Sequence, residues 1–188
     1  MRSILAVTAV AIGLGGLPAV ANAQTQALSA PGFATQFPGD WTHVKSTRQG
    51  VTLHTLMSPG TVVPNKFRSI PKSGGIAVTV SIMSASHYKR VTHHKAPKRG
   101  MAMLNAIGIP RAAKKVKVAT KGKLFKLDGV TGATAAVTYT YNGVKNLQRD
   151  VAVRKGNRLI LIELNCRPDL EPAGQAGMNV VLANWHWS

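Results

Sequence analysis

Apolar and polar residues alternate at period two along much of this chain, and that rhythm predicts strands. Val51, Leu53, Thr55 and Met57 follow Gly50 in this way. Ile76, Val78, Val80 and Ile82 alternate with Ala77, Thr79 and Ser81 and predict a second strand. Val116 and Val118 alternate with Lys115 and Lys117, giving a strand with one charged face, and Lys121-Gly122 marks a turn or bulge. Ala133, Ala135, Val137, Tyr139 and Tyr141 alternate with Thr134, Ala136, Thr138 and Thr140. Asn142-Gly143 then supplies the pair that a type I′ hairpin prefers, because both central residues need positive φ. The chain returns through Leu147 to Val153 and turns again at Lys155-Gly156-Asn157. Leu159-Ile160-Leu161-Ile162 is apolar on both faces, so this strand belongs inside a sheet with cover on both sides.

Two stretches carry a helical period instead. Pro97 can open a helix as its first residue, with Met101, Leu104 and Ile107 on one face and Gly108 with Pro110 to stop it. Asp169 can cap a final helix that tolerates Pro172 in its first turn. Leu170, Ala173, Gly177, Val180, Val181 and Asn184 form its inward stripe, and Trp185 and Trp187 finish it. Ser58 to Gly75 and the polar, basic run from His87 to Lys98 read as loops. The resulting class is α+β: one domain with an antiparallel β-sheet flanked by helices, an α-β-α sandwich.

The N-terminus changes the picture of where this domain works. Met1-Arg2, an apolar run from Ile4 to Gly16, Leu17-Pro18 and Ala21-Asn22-Ala23 have the layout of a cleavable secretory signal over residues 1–23. The apolar run is shorter than the ~20 residues that a membrane span needs. Residues 24–35 are rich in Ala, Ser, Gln, Pro and Gly and read as a flexible leader, so the folded domain is expected over 36–188. The expected location is the bacterial periplasm or the extracellular space. Cys166 is the single cysteine of the sequence, so no internal disulfide is available, and a buried thiol is expected because it closes an apolar run.

Charge narrows the function class. The sequence carries 24 Lys and Arg against 6 Asp and Glu, a formal +18. The 87 positions from Trp41 to Leu127 hold 17 of those cations and no acid, whereas Asp128 to Ser188 is near balance. Lys89, Arg90, Lys95, Lys98, Arg99, Arg111, Lys114, Lys115, Lys117, Lys121, Lys123 and Lys126 crowd together as a candidate anion-binding surface. Aromatics make up only 5% of the chain and fall mostly on core faces, so specific nucleic-acid readout is not expected. The candidate partners are lipopolysaccharide, anionic lipid, acidic polysaccharide, shed nucleic acid or an acidic protein.

Phe37-Pro38-Gly39-Asp40-Trp41, the strand start at Gly50 and Asp128-Gly129 entering the Ala133–Tyr141 strand resemble the PsbP-like fold. The Asn142-Gly143 hairpin, the Leu159–Leu164 strand and the terminal helix fit it too. That fold is shared by the extrinsic photosystem subunit, the Mog-type Ran-binding proteins and LpqN. The resemblance covers residues 35 to 188 and lies in turn and core residues. It implies an α-β-α sandwich and a protein that binds or assembles other macromolecules. It carries no functional residue across.

No catalytic signature stands out. His87, His93 and His94 invite a metal-site reading, or acid–base work on a phosphodiester beside Lys89, Arg90 or Lys95. The positive surroundings repel a cation and no carboxylate is near to orient a ring, so an exposed polar loop is the simpler reading. No metal or cofactor is expected. Glu163 interrupts an apolar strand: it is a general acid or, more simply, an ion-pair partner of Arg149, Arg154 or Arg158. His54, opposite Leu53, reads as a surface residue. Trp185-His186-Trp187 is either an exposed anchor or a core cap with its neighbour resting on the sheet. The functional expectation is an exported binding or assembly module that docks on an anionic partner. A small periplasmic phosphodiester hydrolase is the rival.

Overall fold

The computed structural model describes residues 24–62, 75–106, 109–110 and 112–188. Ten strands and three helices follow in chain order among them. They are β1 (Thr25–Ala30), β2 (Phe33–Pro38), β3 (Thr42–Arg48), β4 (Val51–Met57), β5 (Ala77–Ser84), α1 (Ala85–Thr92), α2 (Gly100–Ala106), β6 (Lys114–Leu127), β7 (Val130–Tyr141), β8 (Val144–Lys155), β9 (Arg158–Cys166), α3 (Glu171–Ala183) and β10 (His186–Trp187). Seven strands form one antiparallel sheet in the order β3-β4-β5-β9-β8-β7-β6. The doubly apolar strand β9 stands in its middle, as its sequence required. A second sheet, β1-β2-β10, joins the two ends of the described chain.

The sheet's two faces are covered differently. On one face Val78, Val80, Ile160, Ile162, Leu164, Val151 and Val153 pack with Met178 and Val181 of α3 and with Phe33, Phe37 and Trp185. On the other, Met103 of α2 packs on Ala152 and Leu159. Gly100 lets α2 lie directly on the sheet: a Cβ there would meet Ala133 N, Ala152 O and the Gly132 carbonyl carbon within 2.7 Å. The α-β-α arrangement therefore holds, with the small sheet added on the α3 face. The Asn142-Gly143 turn has φ of 49° and 79°, the left-handed pair its sequence demanded.

Several local expectations need correction. Residues 24–35 are not a leader: β1 pairs in full register with β2, and Leu28 and Phe33 are buried. β2 packs on α3, and Phe33 stacks on Trp185, both from the far end of the chain. The His87–Lys98 run begins as helix α1, capped by Ser84, whose Oγ accepts from His87 N at 3.0 Å. The next helix starts at Gly100 and not at Pro97. Asp169 caps nothing, because Arg167 holds its carboxylate at 2.9 Å in a short 3-10 turn ahead of α3. The buried stripe of α3 is Gly174, Gly177, Met178 and Val181, so Ala173 and Val180 do not carry it. The expected signal at residues 1–23, most of the expected loop from Ser58 to Gly75 (residues 63–74), Ile107, Gly108 and Arg111 lie outside the described residues.

Candidate functional site

Strand β6 positions half of the basic candidates. It is the last strand of the large sheet, paired on one side with β7. Its 14 residues include Lys114, Lys115, Lys117, Lys121, Lys123 and Lys126, all exposed, and no acid. Register shifts fall between Lys114 and Lys117, between Val118 and Thr120, and between Thr120 and Lys123. The last shift takes in the expected Lys121-Gly122 irregularity. Such bulges turn successive lysines toward both sides of the strand.

Cross-strand partners fix those sides. Lys114, Lys117 and Lys123 stand opposite Thr140, Thr138 and Thr134, which point to the α3 face. Val118, Leu124 and Lys126 stand opposite Val137, Ala133 and Thr131 and share the α2 face. On that face Met101 and Leu104 of α2 close over Gly122, where any Cβ would strike the Met101 methyl group. Lys95, Lys98 and Arg99 are exposed on the link that leads into α2. Lys89 and Arg90 are exposed in the last turn of α1, which packs on β5. The fold therefore brings the β6 lysines together and carries Lys98 and Arg99 to the helix beside them, while Lys89 and Arg90 stand apart over β5. Among the described residues the ion pairs are Arg149–Glu171 and Arg167–Asp169, so no basic candidate is neutralised by a salt bridge there.

The three histidines do not gather into a site. His87 takes the Arg90 guanidinium on Nδ1 at 2.7 Å and leans on Gly50. His93 is the left-handed C-cap of α1, and His94 is exposed beyond it. Among the described residues no three His, Cys, Asp or Glu side chains converge as metal ligands.

Two buried polar groupings were missed or misread in the sequence. His54 is 5% exposed, so it is a core residue and not a surface one. The main core lies on the His54 and Leu56 face of β4, opposite the face on which Leu53 stands. Its Nδ1 lies 3.1 Å from Nε2 of His43 across the β3–β4 pair, and its ring meets Phe33 edge-on. Burial, then His43 and Lys45, lower the pKa of His54, and burial with Lys45 lowers that of His43. On the α2 face, Asp150 stands directly across from Glu163. Burial first, then the Glu163 charge, hold the Asp150 carboxyl well above the usual carboxylate range, against the lowering effect of Gln148.

The expected arginine partners of Glu163 are engaged elsewhere. Arg149 binds Glu171, Arg154 donates to the Ala96 and Pro97 carbonyls, and Arg158 donates to the Ser188 carbonyl. Glu163 accepts Asn165 Nδ2 at 2.6 Å. Trp185 is buried and stacked on Phe33 at 4.4 Å, while Trp187 rests over the Asp128 turn with Lys155 above its ring. Cys166 is buried, and burial followed by Glu171 and Asp169 pushes its thiol up to about 12.

No protein-family model and no curated protein matches this chain. Solved structures do. LpqN of Mycobacterium tuberculosis, described as involved in cell envelope biogenesis, superposes with a TM-score of 0.53 at 16% identity, covering 88% of this chain and 91% of LpqN. A Bacteroides thetaiotaomicron protein matches at a TM-score of 0.50 and 14% identity, over 88% of this chain and 49% of that one. Cyanobacterial PsbP from Synechocystis gives a TM-score of 0.49 at 14% identity, over 93% and 99% of the two chains. The chain has the PsbP-like fold anticipated from its turn residues and strand order.

Proposed function

We propose that this protein is an exported, non-enzymatic docking or assembly module of the cell envelope, and that β6 is the edge through which it meets an anionic partner. One observation carries the reading. A sheet edge of 14 residues presents six exposed lysines, no acid and no ion pair among the described residues. A field of one sign raises the local concentration of oppositely charged surfaces and speeds encounter. The envelope role stated for LpqN, which has the same fold, supports the setting. No helix among the described residues is long and apolar enough to cross a membrane.

The test is charge reversal with a salt series. Replacing Lys114, Lys115 and Lys117 by Glu leaves stability near that of wild type, because all three are exposed. Each lysine near an anionic surface contributes about 1 kcal/mol, so the triple change is expected to weaken binding by roughly a hundredfold or more. Wild-type binding to an anionic resin or vesicle should also fall steeply between low and high salt. Equal retention of both proteins at every salt concentration would end this reading.

A further inference from the structure

Resting on that docking reading, we infer that the anionic partner is a lipid bilayer surface, with Val118, Leu124 and Met101 entering it while the flanking lysines meet head-group phosphates. The lysines explain attraction, but they do not explain what lies between them. Leu124 is 73% exposed, Val118 67%, Val116 45% and Met101 37%. Single exposed aliphatics are ordinary on protein surfaces. Here three of them line one strand, and Met101 lies against Gly122 of that strand.

Three occupants compete for such an edge. An added strand from a protein partner needs a regular row of N–H and C=O groups, and the three register shifts of β6 break that row. A soluble polyanion would engage the lysines and leave Val118 and Leu124 in water. An anionic bilayer uses both kinds of residue: phosphates at the level of the ammonium groups and an apolar layer beneath them. The geometry fits a planar surface met edge-on. Lys114, Lys117 and Lys123 flank the strand on the α3 face and Lys126 on the α2 face, so cations lie on both faces of the strand that carries the inserting residues. Their long stems let the charged heads stay in the head-group layer while the edge sinks. Guarding a free edge against aggregation explains lysines, but it does not call for an exposed leucine.

The experiment compares wild type with the Val118→Ser, Leu124→Ser double variant. Both are recovered from the exported fraction, and the N-terminus is fixed by mass. Each is measured by co-sedimentation with phosphatidylglycerol–phosphatidylcholine vesicles and with pure phosphatidylcholine vesicles, and by retention on heparin. The expected result is wild-type binding to the anionic vesicles alone, a loss of roughly tenfold or more in the variant, and unchanged heparin retention. Equal vesicle binding by the two proteins, with heparin retention intact, overturns the lipid inference and leaves electrostatic docking standing. Heparin retention without any vesicle binding does the same and returns the partner to a soluble polyanion or acidic protein. Absence of both overturns the docking reading itself. A polarity-sensitive dye on Leu124→Cys is a second readout, since native Cys166 is buried. It should shift to the blue on anionic vesicles, and the same dye on Ser46→Cys of the opposite edge should not.

Discussion

Replacing Gly177 by alanine tests how α3 is seated. Gly177 is a buried position of that helix, and a Cβ there would fall inside contact distance of Cη2 and Cζ2 of Trp41 and 3.3 Å from Cζ3. Alanine would normally favour a helix over glycine by about 1 kcal/mol. Overpacking a closed site costs about 1–3 kcal/mol, and a rigid indole in a filled core belongs at the upper end of that range. Trp41 is 7% exposed, so it has little room to retreat. The net expectation is a loss of about 1–2 kcal/mol. For a domain of this size that lowers Tm by roughly 2–8 °C. The assay is thermal unfolding followed by near-ultraviolet circular dichroism, in wild-type and Trp41→Phe backgrounds. The cost of alanine should shrink by about 1 kcal/mol or more when the ring is smaller, because the two sites share one contact. A Tm that rises with Gly177→Ala, or a cost identical in both backgrounds, would refute the account of this contact.

Two further expectations concern pH. The Asp150 carboxyl is raised in the fold, so the folded state holds its proton more tightly than the unfolded chain, and stability is lost as pH rises above the unfolded range near 3.9. Asp150→Asn is therefore expected to be more stable than wild type in urea at pH 7, with the margin shrinking toward pH 4; a variant less stable at pH 7 would contradict it. His43 and His54 are both lowered, so their contribution is complete above about pH 6.5 and is lost as pH falls through that value. The His43→Gln, His54→Gln double variant should flatten the loss of stability between pH 7 and 5, and an unchanged slope would remove the pair from the account.

The parts of the fold legible in the sequence were those whose alternation reports one buried face. β5, β7, β8 and β9 announce themselves because their apolar residues meet the core on a fixed side. β3 does not, since as the far edge of the sheet its residues Thr42 to Thr47 are exposed and no pattern is imposed on them. β1 and β2 were hidden for another reason: β1 pairs on β2, β2 packs on α3 and Trp185, and no local window contains these elements together. α1 did carry a local signal, Ser84 ahead of a helix ending in Lys89 and Arg90, but the basic composition of the stretch masked it. Asp169 shows the reverse failure, a good capping residue drawn away by the neighbouring Arg167. In the candidate site, the charge of β6 was visible. Its place at the sheet edge and the exposure of Leu124 depend on strand order, which the sequence does not state.

The pairing of β2 with β10 has a consequence for how the molecule comes into being. Gly32 N donates to Ser188 Oγ across a separation of 156 residues, and Phe33 lies opposite Trp187. Contacts so distant along the chain close late and slowly. A polypeptide made from its N-terminus cannot complete this clasp until residues 186–188 are free to pair. The β1–β2 hairpin, made early, therefore waits longest for the strand that completes its sheet.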